Sequence, residues 1–245
     1  MRPVSHIGAT ARGTPRASSR RDITAAGRRV AKRVGSAILP ASMVVWRGPA
    51  LHAQMRRRAG RVALTFDDGP TALTESYLEL LARFNARATF FVIGELCAQR
   101  PDLVTKIANA GHELAGHGYT HRRFPTLSGR ELEKELRLTA ALLPRSAERH
   151  SLVRPPHGAV SPWSMLACAR AGFTTALWSY DSGDWRTKRA DEVFAAFDDE
   201  EASKPGAIVL LHEGQTWTME ALPLILGKFG KAGHDLVTVG ELLHG

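Results

Sequence analysis

The sequence predicts an α/β fold built on a parallel sheet, and three observations carry that prediction. From Arg61 onward, short apolar runs alternate with amphipathic ones seven times. Repeated strand–helix units imply parallel pairing, because each helix returns the chain to the end where the next strand starts. The amphipathic stretches have recognisable helix ends. The ionisable residues suited to chemistry all fall just after the apolar runs, at the end of a parallel sheet where active sites are assembled. Seven units over residues 61–245 suit either a barrel lacking one unit or a doubly wound open sheet.

In chain order, residues 1–60 stand apart as an arm. They hold 13 Arg and Lys against one acid, Asp22, for a charge of +12, whereas the whole chain is +9 and the remainder therefore −3. The high isoelectric point belongs to the arm, so the body is not expected to bind nucleic acid specifically. The first twenty residues lack apolar patterning and are expected to be disordered. Val30, Val34 and Ile38 then form a weak helical stripe opposite Arg28, Arg29, Lys32 and Arg33. Such a segment can touch an anionic membrane surface, the alternative being a solvated extension. The apolar run 36–46 is interrupted by Pro40 and is too short to span a bilayer. Ser19-Arg20-Arg21 is similar to the start of a twin-arginine export signal, but four further basic residues intervene and no A-x-A site follows. An exported or cell-envelope location is expected ahead of a cytoplasmic one.

The expected strands are 62–66, 88–93, 113–116, 152–153, 174–179, 207–211 and 236–238. Between them, Pro101 suits a first helical position, Gly111 follows a last one, Ser128 and Glu131 form a capping box, and Ser161-Pro162 supplies a cap and first turn. Leu132, Leu136 and Leu143 give the helix after Ser128 its apolar side, with Glu133 and Arg137 paired across one turn. Cys97 and Cys168 lack C-x-x-C spacing and read as reduced packing residues.

The first strand ends in Asp67 and Asp68, a pair that alone also reads as a solvated turn. His117 and His121 follow strand three, four residues apart, so one turn of chain can aim both imidazoles at one point. With a strand-one carboxylate they make a three-ligand metal site with an open position, the arrangement of hydrolytic centres, whereas the pair alone also reads as surface or packing histidines. His112 has the wrong spacing to join and reads as structural. Arg154 follows strand four, Asp181 and Asp184 follow strand five, and His212 ends strand six.

Five stretches then carry a resemblance. TFDDGP at 65–70, HGYTH at 117–121, RPPHG at 154–158, DSGDW at 181–185 and LLH at 210–212 are similar, in order and spacing, to the five motifs of the polysaccharide deacetylase (NodB-homology) family, which is carbohydrate esterase family 4. The resemblance covers residues 61–245. It implies a deformed (β/α)7 barrel and metal-dependent removal of acetyl groups from N-acetylated, sometimes O-acetylated, sugars such as chitin oligomers, peptidoglycan or another envelope glycan. It implies that Asp68, His117 and His121 hold one divalent ion, most often Zn2+, while Asp67 acts as general base and Arg154 orients it. His212 would be the general acid, with Asp184 fixing its tautomer. The His157 backbone N–H would face the oxyanion, and Trp185 and Leu210 would wall the acetyl methyl, with Asp181 also at the substrate. Two positions depart from the family pattern: His157 stands where Tyr is usual, and Gly118 where Ser or Thr is usual.

The leading expectation is thus a monomeric, metal-dependent amidohydrolase acting on an acetylated glycan. The alternatives are a non-catalytic carbohydrate-binding envelope module that keeps the fold, and nucleic-acid binding through the arm. Retention of Asp67, Asp68, His117, His121 and His212 argues against the module.

Overall fold

A computed structural model describes residues 44–45, 60–144 and 151–244. The expectations for the arm before residue 44 lie outside these residues. The strands are β1 (Val44–Val45), β2 (Arg61–Gly69), β3 (Ala88–Val92), β4 (Glu113–Gly116), β5 (Ser151–Val153), β6 (Phe173–Ala176), β7 (Tyr180–Asp181), β8 (Ile208–His212) and β9 (Asp235–Leu236). The helices are α1 (Thr74–Arg83), α2 (Gly94–Gln99), α3 (Pro101–Asn109), α4 (Gly129–Leu142), α5 (Pro162–Arg170), α6 (Ala190–Ala196), α7 (Thr216–Lys231) and α8 (Val239–His244). Every ladder is parallel, in the order β1-β6-β5-β4-β3-β2-β8-β7, with β9 against the start of β2.

One connection shows that this sheet curls. Apart from β1, β6 and β7 are the two ends of the path, yet only residues 177–179 join them. Four Cα steps span at most about 14 Å, so the ends must come round to face one another as a deformed barrel. The expected strand 174–179 instead ends at Ala176 in β6, and 177–179 carry the chain across to β7 at the other end of the path. Its break has a chemical cause: the Arg154 guanidinium takes the carbonyls of Ala176 and Leu177, which a continued ladder would use. On the free edge of β6, Val44 and Val45 pair with Thr175 and Ala176, so the sheet recruits two residues assigned by sequence to the arm.

Alternation along β2 decides which side chains face the site. Val62, Leu64 and Phe66 turn outward and pack with Tyr77 and Leu81 of α1 and Leu222 and Ile225 of α7. Ala63 belongs to the inner cluster with Phe91, Ala115, Ala176 and Ile208. The period of two places Thr65 and Asp67 on the same inward face. The small side chains there leave room for the fully buried Arg154, whose Cζ lies 3.8 Å from the centre of the Phe91 ring.

The helix ends follow the sequence closely. Pro101 opens α3, and Ser128 caps α4 in a reciprocal box with Glu131. Ser161 caps α5, and Arg137 meets Glu133 at 2.8 Å. Cys97 and Cys168 are free and buried, and burial pushes the Cys168 thiol up to about 11. His112 is a packing residue: Ala88 N–H donates to its Nδ1 at 3.2 Å, and burial and then the charge of Arg87 lower its pKa to about 4. No helix among the described residues is long and apolar enough to cross a membrane.

Candidate active site and metal centre

Two adjacent strand residues ordinarily point to opposite faces, so Asp67 and Asp68 need local help to meet. A register shift between Asp67 and Gly69 supplies it, with Asp68 at φ +71°, a left-handed conformation that Asp tolerates better than most residues. Both carboxylates then reach one imidazole. His117 Nε2 lies 3.6 Å from Asp67 Oδ2 and 3.5 Å from Asp68 Oδ1, and His121 Nε2 lies 3.1 Å from the same Asp68 oxygen.

Hydrogen bonding fixes which face of His117 is available. Its Nδ1 is 2.8 Å from the Arg154 carbonyl, which can only accept, so Nδ1 carries the proton and Nε2 presents a lone pair. Burial, partly offset by Asp67 and Asp68, lowers the pKa of His117 and keeps it neutral. Ligand atoms of Asp68, His117 and His121 all lie within 4.8 Å of one another. The Asp68 oxygen between them is buried without a donor in hydrogen-bonding geometry. Two imidazole nitrogens gathered around a carboxylate oxygen that lacks a donor fit a divalent cation.

Asp67 is set apart from Asp68 by its partners. Arg154 Nη1 donates to Asp67 Oδ1 at 2.6 Å and to Thr65 Oγ1 at 2.8 Å, while its Nε and Nη2 are anchored on backbone carbonyls 3.1 Å away. One carboxylate is therefore clamped by a buried guanidinium while the other is left to the histidines. His212 stands beside Asp67 as its register partner on β8, about 4.8 Å away across the ladder. The imidazole donates from Nδ1 to Asp184 Oδ1 at 2.8 Å. Asp184 is itself buried and also accepts from the His212 backbone N–H at 2.7 Å and from Thr218 Oγ1 at 2.9 Å. Burial lowers the His212 pKa, but the hydrogen bond and charge of Asp184, with Asp67 and Asp68, more than offset it, so it ends above the ordinary imidazole value.

The remaining expected residues surround this centre. Leu210 is buried two residues before His212 and so shares its inward face, while Trp185 is 54% exposed beside Asp184. The His157 ring is centred 4.6 Å from that of His121, with the backbone at φ +58°. The next residue must be glycine for the loop to lie here, because a Cβ at Gly158 would sit 2.6 Å from the Trp178 ring. Asp181 is engaged locally, accepting from Gly183 N–H at 2.9 Å to shape the turn that presents Asp184.

Two glutamates that the sequence does not single out brace the centre. Glu213 is buried behind the β2–α1 turn, where it accepts from Thr71 N–H at 3.1 Å and from the Thr74 hydroxyl. A Cβ on Gly69 would come within 1.9 Å of its Oε2. Burial first, and then Asp68, raise the Glu213 pKa. Glu135 reaches from α4 to the loop between the two histidines.

The sequence profile described as polysaccharide deacetylase matches residues 54–176, about half of the chain. A peptidoglycan-N-acetylglucosamine deacetylase of Bacillus cereus is 34% identical over 188 residues, covering 74% of this chain and 87% of that protein. The chain belongs to the polysaccharide deacetylase family. The peptidoglycan-N-acetylglucosamine deacetylase PgdA of Listeria monocytogenes is 32% identical over 219 residues, which cover 87% of this chain but 44% of that protein. The chain thus spans less than half the length of that relative. Among solved structures, the family 4 carbohydrate esterase of Streptomyces lividans, determined in complex with acetate, superposes with a TM-score of 0.66 at 31% identity, covering 72% of this chain and 91% of that one. The deformed (β/α)7 barrel of this family of carbohydrate deacetylases is therefore the fold of this chain.

Proposed function

We propose that the chain is a metal-dependent deacetylase that hydrolyses the N-acetyl group of a carbohydrate, with residues 61–245 as the catalytic domain. The observation that carries this reading is the division of labour between Asp67 and Asp68. One carboxylate is locked to Arg154 beside His212, and the other offers two histidines a buried oxygen that no donor satisfies. A solvated turn would need neither arrangement.

Asp68, His117 and His121 would hold the ion, taken to be Zn2+ from the nitrogen-rich donor set. When bound, it supplies a Lewis acid that acidifies water and polarises an amide carbonyl. Asp67 takes the proton of the attacking water, held in place by Arg154 Nη1. The tetrahedral oxyanion is met by the backbone N–H of His157. His212 delivers a proton from Nε2 to the departing amine, since its Nδ1 is committed to Asp184. Trp185 and Leu210 flank the acetyl methyl. Each proton transfer is worth about 10²- to 10⁴-fold in rate.

The relatives act on peptidoglycan by their names. An envelope glycan, or a chitin oligomer offering the same N-acetylglucosamine unit, is the substrate class we propose, with an exported or envelope location to match. The test is acetate release from chitin oligomers and from peptidoglycan, before and after stripping with a chelator and after Zn2+ is returned. Loss on stripping and recovery with Zn2+ is expected. Turnover that survives complete removal of metal would overturn the mechanism, and sugar binding without acetate release by fully metallated protein would favour a non-catalytic module.

A further inference from the structure

We propose that Glu135 is the positioning residue that sets the metal affinity of the site, by fixing the loop between His117 and His121. This rests on the reading above that these histidines and Asp68 bind the ion. Glu135 sits on the core side of α4, between Leu132 and Thr139, and is only 7% exposed. Its Oε2 accepts from Tyr119 N–H at 2.6 Å and from Thr120 N–H at 2.8 Å, and its Oε1 accepts from the Thr120 hydroxyl at 2.6 Å. Three donors, all from residues between the two histidines, thus converge on one buried carboxylate. Charge-assisted bonds of this kind are about twice as strong as neutral ones.

The loop needs that acceptor because it is not helical. Gly118 at φ +76° and His121 at φ +58° interrupt any regular turn, so the intervening amides have no backbone ladder to join. The opposite side of the loop is held separately: Gly118 and Tyr119 carbonyls accept from Gly94 and Glu95 N–H, each at 3.0 Å. Glu135 closes the clamp. Gly118 in place of the usual hydroxyl residue follows from its left-handed backbone and from the Phe124 ring, which a Cβ there would meet at 3.3 Å. The loop-fixing contact comes from the helix, across space, and not from within the loop.

The two histidines depend on Glu135 unequally. His117 has anchors of its own, through Nδ1 to the Arg154 carbonyl and through its N–H to the Val92 carbonyl, each at 2.8 Å. His121 follows directly after Thr120, and among the described residues its ring meets the Asp68 carboxylate without a backbone anchor like that of His117. Removing the carboxylate should therefore loosen one ligand of three and leave the others in place.

The experiment measures Zn2+ affinity of the full chain by competition with a chelator, for wild type, Glu135→Leu and Glu135→Gln. Hydrogen exchange at the Tyr119 and Thr120 amides is followed in parallel. Loss of a group that supports a ligand typically weakens metal binding about 10- to 100-fold. That loss is expected for Glu135→Leu, with fast exchange at both amides and turnover recovered at saturating Zn2+. Glu135→Gln keeps an acceptor for the amides and should lie between, which also covers the case in which the leucine variant does not fold. Zn2+ affinity equal to wild type in the folded variants overturns the proposal, as does turnover that stays lost at saturating metal. A wild-type protein that does not bind Zn2+ at all would instead sink the functional reading, and the two failures are distinct.

Discussion

Arg154→Met is the perturbation whose consequences the structure specifies most fully. The guanidinium is wholly buried and makes four hydrogen bonds, one of them to the buried Asp67 carboxylate. Methionine keeps an apolar stem but loses the guanidinium over Phe91, and leaves Asp67 without its counter-charge and the Ala176 and Leu177 carbonyls without these donors. Breaking a buried pair from one side costs about 3–5 kcal/mol. Since domains of this size hold only about 5–15 kcal/mol in all, the variant should lose roughly a fifth of its stability at the least. Arg154→Lys restores the charge but not the planar fork, and should recover part of the loss. Urea unfolding, comparing midpoints at constant slope, measures the stability term. Acetate release measures the catalytic one, where a displaced base is expected to cost at least about 10²-fold. A loss under about 1 kcal/mol in Arg154→Met, or unchanged turnover, would refute the claim that this arginine holds the base.

Two further outcomes follow from the same geometry. Asp67→Asn should keep the metal, because Asp68 and the histidines are untouched, while turnover falls by about 10²- to 10⁴-fold; metal analysis showing an empty site would mean that the two aspartates have exchanged roles. Asp184→Asn should expose a pH signature. The His212 pKa is raised in the folded protein, so its stabilisation is fully present below the unfolded imidazole value of about 6.5 and is lost as pH rises through the folded value. The stability gap between wild type and this variant should therefore narrow from pH 6 to pH 9, and the alkaline limb of the activity profile should move to lower pH. A gap that is constant across that range would show that Asp184 serves His212 only as a neutral acceptor.

What the sequence could and could not convey divides along a physical line. Asp67, His117, Arg154, Asp184 and His212 were legible because each follows a recognisable strand, and parallel strands deliver their last residues to one rim. The end of β6 at Ala176 was not legible, because TTALWS holds no Gly, Pro, Asn or Asp to mark a break and nothing local announces that a guanidinium from β5's end will take its carbonyls. Nor was the meeting of Asp67 and Asp68 on one imidazole, since the period of two forbids it unless the backbone turns left-handed at Asp68. Glu135 is the sharpest case. In the run ELEKELRL it is one of three glutamates on an amphipathic helix, indistinguishable by type from Glu131, which caps α4, and Glu133, which pairs with Arg137 on the surface. Its role is written in the hydrogen-bonding need of a different segment, the amides of Tyr119 and Thr120, which exists only because Gly118 and His121 leave the helical region. Residues that act on substrate carry their chemistry in their side chains and can be read singly. Residues that hold those in place acquire their meaning from the partner, and so become visible only when the two segments are brought together.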